Sequence, residues 1–318
     1  IHITGIVQGV GFRPFVYDLA TRLDLSGFVA NRGGAVVIEV EGDSGSLDQF
    51  LAELKRRPPP LAAIAQLACE PRPAQGDRHF HIEPSGVETG GSVFVSPDVA
   101  TCDDCLAEMV DPADRRYRYP FINCTNCGPR LTIVTGAPYD RERTTMASFV
   151  MCPVCRDEYE DPANRRFHAQ ATCCQTCGPR LALHDKNGRP TESDNPLAEF
   201  VAAIRAGRIG ALKGLGGFHL LCDARDESVV RELRGRKHRD EKPLAIMVRD
   251  IAAAEQLCEV SSAERQLLIS PRRPIVLLRK RAATAVAESV ALRNPCLGVM
   301  LPYTPLHHLL LQSMDDDP

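Results

Sequence analysis

Cys102-Asp-Asp-Cys105, Cys124-Thr-Asn-Cys127, Cys152-Pro-Val-Cys155 and Cys174-Gln-Thr-Cys177 are four Cys-x-x-Cys knuckles. The gap inside each pair of knuckles is 18 residues, and every cysteine recurs at an offset of 50. The words around them recur too. Asp111-Pro-Ala-Asp-Arg-Arg116 returns as Asp161-Pro-Ala-Asn-Arg-Arg166, and Gly-Pro-Arg-Leu follows both Cys127 and Cys177. The segment is an internal duplication.

A Cys-x-x-Cys turn brings two thiolates about one ion diameter apart, and two turns supply the tetrahedral all-sulfur shell that Zn2+ prefers, with Zn–S near ~2.3 Å. Disulfides or a redox Cys-x-x-Cys are the rival readings, but a redox motif needs one pair and this chain repeats a four-ligand set. Two structural Zn2+ ions are expected, with sulfur in all four positions and none left for substrate. Metal binding would then supply folding energy that so few apolar residues cannot. Cys173 beside Cys174, and His168 inside the second loop, are alternative ligands; the 50-residue register favours Cys174. Spacing leaves both sequential and crossed pairing open, and sequential sites are the expectation.

The chain has 318 residues, 44% hydrophobic and 25% charged, with a formal charge of −3. That length suits two or three domains, and the charge gives no global pull toward nucleic acid or membrane. Eight of the thirteen cysteines belong to the tandem. Cys69, Cys173, Cys222, Cys258 and Cys296 are scattered, as in a protein of the reducing cytoplasm. No leader segment and no apolar run of about 20 residues is present, so no membrane association is expected. Asn123-Cys-Thr125 matches a glycosylation triplet, which a zinc ligand inside it makes accidental. An opening Ile1 and an ending at Asp315-Asp-Asp-Pro318 suggest a cut-out of a longer protein.

Upstream of the tandem, residues 1–85 read as βαββαβ, a small antiparallel sheet with two helices on one face, the ferredoxin-like arrangement. A strand Ile1–Val7 runs into Gln8-Gly-Val-Gly-Phe-Arg13, and Pro14 suits the first position of the helix that follows. A glycine-bearing turn at a helix N-terminus is an anion cradle, and Arg13 adds a planar fork for phosphate oxygens. Val36, Ile38 and Val40 alternate with Glu39 and Glu41 as a half-buried strand. Ser46 and Gln49 resemble a capping box opening a second helix, and His79–Glu83 closes the unit as a strand. His2, His79 and His81 are strand residues.

Residues 86–190 form the tandem four-cysteine zinc domain, entered through a linker with Gly86, Gly90, Gly91, Ser92 and Ser96. Leu131–Val134 and Tyr139–Phe149 are short strands or turns. Arg115, Arg116, Arg118, Arg165 and Arg166 are interleaved with acids and read as a solvated face. No basic stripe with interleaved aromatics is present, so nucleic acid is not expected.

Residues 191–318 change to an α/β pattern. Asn195-Pro196 starts a helix that Gly207 ends, and Ile209–Gly214 is a strand entering the turn Gly214-Leu-Gly-Gly217. A further helix follows Asp226, and Leu244–Val248 and Ile275–Leu278 are buried strands. The glycine turn lacks the Lys-Ser/Thr ending of a P-loop. Residues 231–242 hold six Lys or Arg against three acids, a density that points to a triphosphate site.

Three resemblances sharpen these readings. Gly5-Ile-Val-Gln-Gly-Val-Gly-Phe-Arg13, with Asn31 on the following strand, resembles the acylphosphatase signature. It implies that the loop Gln8, Gly9, Val10, Gly11, Phe12 and Arg13 hold an acyl phosphate while Asn31 positions the attacking water. Lys213–Ala224, Leu233–Leu244, Ser270–Ile275 and Leu297–Leu306 resemble the YrdC type of domain, a twisted α/β sheet around a basic cavity that makes acyl-adenylates from ATP. That likeness implies nucleotide contacts from Lys213, Lys237, Arg239, Lys242, Ser270 and Arg272. Acylphosphatase-like, double-zinc and YrdC-like parts in this order are similar to the HypF family, carbamoyltransferases of nickel–iron hydrogenase maturation. The family resemblance implies an α+β multidomain enzyme with carbamoyl phosphate and ATP, with Mg2+, as substrates. Carbamoyl-adenylate would be its product, and HypE the partner of the full-length protein. HypF proteins continue into a large Kae1-like domain that nothing here matches, so this chain is expected to form the adenylate without completing the transfer. An acyl-phosphate hydrolase with scaffold domains and an RNA-binding module remain the alternatives.

Overall fold

A computed structural model describes residues 1–84, 95–282 and 284–315. The expected linker, except Ser96, lies outside the described residues. The chain divides into two compact units, one of Ile1–Val99 with Ile122–Gly178, the other of Ala100–Phe121 with Pro179–Pro318.

The first unit begins with β1 (His2–Ile6), α1 (Phe12–Arg22), β2 (Ser26–Arg32), β3 (Ala35–Glu41), α2 (Ser44–Arg56), β4 (Ala63–Ala68) and β5 (Phe80–Ile82). The sheet order is β4-β1-β3-β2-β5. The expected βαββαβ order is present, with Ala63–Ala68 as an additional edge strand antiparallel to β1. The closing strand corrects the all-antiparallel expectation, since β5 runs parallel to β2. Val16, Leu19 and Ala20 of α1 and Phe50 and Leu54 of α2 pack with Ile3, Val29, Val36 and Ile38 in one buried core.

Two local expectations shift. Pro14 is the third residue of α1 rather than the first, still inside the turn whose N–H groups lack intrahelical partners. The cap of α2 is Asp43, whose carboxylate accepts the Ser46 N–H at 3.0 Å. Ser46 is the donor there, and the stronger cap three residues upstream starts the helix earlier.

The first cysteine pair of each repeat opens a two-turn helix, α3 (Asp103–Val110) and α4 (Pro153–Glu160). The duplication persists in detail. Asp111 and Asp161 each accept the N–H two residues on at 2.9 Å, and Arg118 and His168, offset by 50, share φ of 53° and 54°. The arginines depart from the solvated-face reading: Arg116 and Arg166 are 1% and 4% exposed. Arg166 Nε donates to the Asn123 carbonyl at 3.2 Å, so a backbone acceptor helps to hold its charge inside.

The second unit contains α5 (Pro196–Arg205), the hairpin β6 (Gly210–Lys213) and β7 (Phe218–Leu221), α6 (Glu227–Arg236), β8 (Ala245–Met247), α7 (Ile251–Leu257), β9 (Cys258–Glu259), α8 (Ser262–Ile269), β10 (Val276–Lys280), β11 (Cys296–Met300) and α9 (Pro305–Asp315). Its larger sheet has the order β8-β11-β10-β9, parallel between β8 and β11 and antiparallel elsewhere. Asn195 caps α5 through the Ala198 N–H at 3.2 Å. Gly207, at φ 73°, ends the helix: its N–H donates to Ile204 O and the Arg208 N–H to Ala203 O, the left-handed stop that glycine adopts without strain. Asp226 caps α6. The strand expected at 275–278 is buried on one face only: Val276 and Leu278 are inside, whereas Ile275 and Leu277 are 55% and 67% exposed. Among the described residues no helix is long and apolar enough to cross a membrane.

Candidate active site

The turn between β1 and α1 lines a polar cavity in the first unit. Gly9 and Gly11 have φ of 70° and 73°, a region that side chains rarely enter. A Cβ on Gly11 would also lie 2.6 Å from the Thr125 methyl. Val7, Gln8 and Val10 turn inward, leaving the backbone of the turn to line a small cavity with Arg13, Asn31, Thr125, Arg130, Tyr139, His168 and Gln170. The first helical bond of α1 runs from the Phe15 N–H to Gly11 O at 3.0 Å. The amides before it have no intrahelical acceptor and sit at the positive end of the helix dipole.

Both sequence-assigned side chains reach this cavity. Arg13 is 8% exposed and donates through Nη2 to Asp140 Oδ1 at 2.8 Å. Asn31, on β2, is 2% exposed. Its Oδ1, and both amide atoms of Gln8, are buried without a hydrogen-bond partner among the described residues. Buried polar atoms are rarely left so, and three around one cavity mark a place built for a polar guest.

The tandem supplies the rest of the wall, which sequence reasoning missed. Arg130 Nε donates to Gly9 O at 2.6 Å, and its Nη atoms donate to the carbonyls of Gly128 and Thr125, each at 2.7 Å. The repeated Gly-Pro-Arg word was the available signal for this clamp. Tyr139 donates to Pro129 O at 3.3 Å, and burial pushes its phenol up to about 12. Burial, reinforced by the Arg13 charge, brings the His168 imidazole down to about 4, so it stays neutral beside the guanidinium. Tyr17 on α1 meets Phe167 edge-on, with centroids 5.6 Å apart.

Each four-cysteine set gathers sequentially, Cys102, Cys105, Cys124 and Cys127 in one, Cys152, Cys155, Cys174 and Cys177 in the other, with all sulfurs of a set within 4.8 Å of one another. Among the described residues, which include all thirteen cysteines, no disulfide is formed. Sulfur separations of 3.9 Å for Cys124–Cys127 and 3.8 Å for Cys152–Cys174 and Cys174–Cys177 match the ~3.8 Å edge of a tetrahedron with ~2.3 Å metal–sulfur bonds. Burial alone would raise the Cys174 thiol, but the N–H groups of Thr176 and Cys177 outweigh it and bring it down to about 6. Thiolate character of that kind suits a divalent metal ion. Cys173 and His168 stay outside both sets.

In the second unit, Lys237, Arg239 and Lys242 share the loop after α6, lining an open hollow with His238, Asp240 and Glu241. Lys237 and Lys242 are exposed. Arg239 turns back on its own loop, donating to the carbonyls of Lys242 at 3.0 Å and Pro243 at 2.5 Å. The loop rests on Arg234, 7% exposed, whose guanidinium donates to Asp240 O at 2.7 Å, Ser289 O at 3.1 Å and Lys242 O at 3.3 Å. Lys213 lies at the end of β6 with its Nζ 5.8 Å from the Phe218 ring, Ser270 donates to Leu267 O at 2.7 Å, and Arg272 is exposed. Among the described residues no hydrogen bond or ion pair joins these three to the loop. Beside Gly214, the His219 Nε2 lies 2.6 Å from the Tyr303 hydroxyl, and both ring nitrogens of the buried His307 lack a partner among the described residues.

Comparison with known proteins assigns family profiles to most of the chain. The acylphosphatase family matches residues 1–82, the HypF finger matches residues 101–134 and 151–184, and the YrdC family, described as telomere recombination, matches residues 202–317. The carbamoyltransferase HypF2 of Cupriavidus necator is 52% identical over 98% of this chain and 39% of its own length. The carbamoyltransferase HypF of a Synechocystis species is 50% identical over 99% of this chain and 41% of its own. A crystal structure of full-length HypF in a phosphate- and nucleotide-bound form superposes with a TM-score of 0.93 at 46% identity, covering 99% of this chain and 41% of that one. The chain thus spans about two fifths of the length of the relatives it matches.

Proposed function

We propose, from the premise that this chain belongs to the HypF family, that it performs the carbamoyl-activating steps of a carbamoyltransferase. Carbamoyl phosphate would enter the turn cavity, its phosphoryl group held by the amides of Gln8–Phe12 and by Arg13, with Asn31 orienting a water. Cleavage gives inorganic phosphate and carbamate. In the YrdC-like part, a carbamate oxygen attacks the α-phosphorus of ATP, the bond to the β-phosphate breaks, and pyrophosphate leaves carbamoyl-adenylate. Lys237, Arg239 and Lys242, with Lys213, Ser270 and Arg272, would neutralise the phosphate charge alongside Mg2+. Transfer of the carbamoyl group to HypE belongs to the whole protein. Two Zn2+ ions in the cysteine sets have a structural role, and division of the chain near residues 85 and 190 goes with this reading. Thirteen cysteines without a disulfide suit a reducing cytoplasm.

The observation that carries the proposal is the enclosed turn, with Arg13 in it and both amide atoms of Gln8 and the Oδ1 of Asn31 left without partners among the described residues. Arg13 and the Gln8 Nε2 are preorganised donors for a phosphoryl group as charge develops on it, and the Asn31 oxygen can accept from a water. Incubating the chain with carbamoyl phosphate, ATP and Mg2+ and analysing products by mass spectrometry tests it. Carbamoyl-adenylate and pyrophosphate are expected, and both should vanish in Arg13→Ala and in Lys237→Ala. Phosphate release with no adenylate from the wild-type chain would reduce it to an acyl-phosphate hydrolase.

A further inference from the structure

Asp140 reaches Arg13 across 127 residues of sequence, from the segment joining the two fingers. The backbone that carries its carboxylate is held in place from several directions. The Asp140 N–H donates to Pro138 O at 2.9 Å, and its carbonyl accepts the Arg143 N–H at 2.8 Å. The next residue, Arg141, is anchored to the second finger: its N–H donates to Gln170 Oε1 at 2.7 Å and its guanidinium to the carbonyls of Gln170, Thr172 and Phe149 at 2.7–2.9 Å. Gln170 is fixed in turn by the Tyr159 hydroxyl at 2.9 Å and by its own bond to His168 O at 3.0 Å. The backbone beneath the carboxylate is thus tied to the second finger on one side and to its own turn on the other.

An aspartate held beside an anion-binding arginine acts in two ways. It fixes the plane and direction of the guanidinium, and it subtracts charge from the site. The Arg13 and Asp140 side chains are 9% and 29% exposed, so solvent screens the pair only in part. We propose that Asp140 is a positioning and specificity-determining residue of the acyl-phosphate pocket. It aims Arg13 at the phosphoryl group and, as a fixed counter-charge, keeps inorganic phosphate from binding tightly, so that the product leaves. The finger segment is then a working wall of this pocket as well as a scaffold. This inference rests on the acyl-phosphate reading above.

Titration of the full zinc-loaded chain with inorganic phosphate, together with carbamoyl phosphate kinetics, separates the two roles. Asp140→Asn keeps an acceptor at the same place without the charge. It should bind phosphate about tenfold tighter and lower both KM and kcat, because product leaves more slowly. Asp140→Glu restores the charge and should return phosphate affinity to within about twofold of wild type. Asp140→Ala removes the aim as well and should lower kcat/KM at least tenfold, more than Asn does. Asp140→Ser, a smaller uncharged acceptor, gives the same readout should the asparagine protein fail to hold two zinc ions. Unchanged or weaker phosphate binding in the uncharged variants overturns the inference. A wild-type chain that neither binds phosphate nor cleaves carbamoyl phosphate overturns the reading beneath it instead.

Discussion

Arg13 and Arg239 both lie at the ends of helices and both belong to regions read as phosphate sites, but the two regions are built differently. Arg13 follows the N-terminus of α1, where free amides and the helix dipole already favour an anion. It is buried and fixed by a carboxylate from another part of the chain. Arg239 follows the C-terminus of α6, where the dipole favours cations, and its guanidinium is turned back onto the carbonyls of its own loop. The cradle is therefore preorganised by tertiary structure. The basic loop is exposed, and its density of Lys and Arg has a local explanation before any ligand is invoked. A preorganised site loses much when one part is removed, whereas an exposed loop loses its charges one at a time.

Loss of metal should separate the regions most. Chelation of zinc, or Cys174→Ala, removes binding free energy of about 10 kcal/mol or more per structural site. It should unfold the second finger and with it the wall of the cradle. A calorimetric transition that disappears along with carbamoyl phosphate cleavage is the expected result, and an unchanged thermogram would count against the wall. Arg13→Ala comes next, with kcat for carbamoyl phosphate cleavage lowered about 10²–10³-fold and zinc content unaltered.

In the basic region the larger effect is structural. Arg234→Ala leaves the carbonyls of Asp240, Ser289 and Lys242 without their donor and should cost about 2–3 kcal/mol in urea denaturation. Acidification should weaken the same unit. His307, 1% exposed, is brought down to about 3 by burial and by the neighbouring His219 and His308. The unfolded chain takes up a proton below about pH 6.5 and the folded one does not, so stability falls as pH drops from 6.5 toward 3. By pH 5 the loss should be about 2 kcal/mol, and His307→Leu should flatten the slope. Lys237→Ala is the mildest change: ATP affinity about tenfold weaker, with the difference shrinking at high salt, and no change in the urea midpoint.

The particulars that were legible in the sequence are those set by local chemistry. The glycines at 9 and 11 announced a left-handed turn, Asn195, Asp226 and Gly207 announced helix ends, and the 50-residue register sorted eight cysteines into two sets. Everything that needed a distant partner was hidden. Asp140 is an ordinary acid in a loop until folding brings it to Arg13. Arg116 and Arg166 look solvated until folding buries them, Arg166 with its Nε on the Asn123 carbonyl. Ala63–Ala68, with Ile64 and Leu67 as its only large apolar residues, becomes a strand because β1 offers it an edge.

On this reading the acyl-phosphate cradle is completed by the finger region and does not stand on the βαββαβ fold alone. Isothermal titration of inorganic phosphate into the full chain, first with zinc bound and then after its removal, tests this most directly. Saturable one-to-one binding should be lost with the metal and return when zinc is restored. Equal affinity with and without zinc would contradict it.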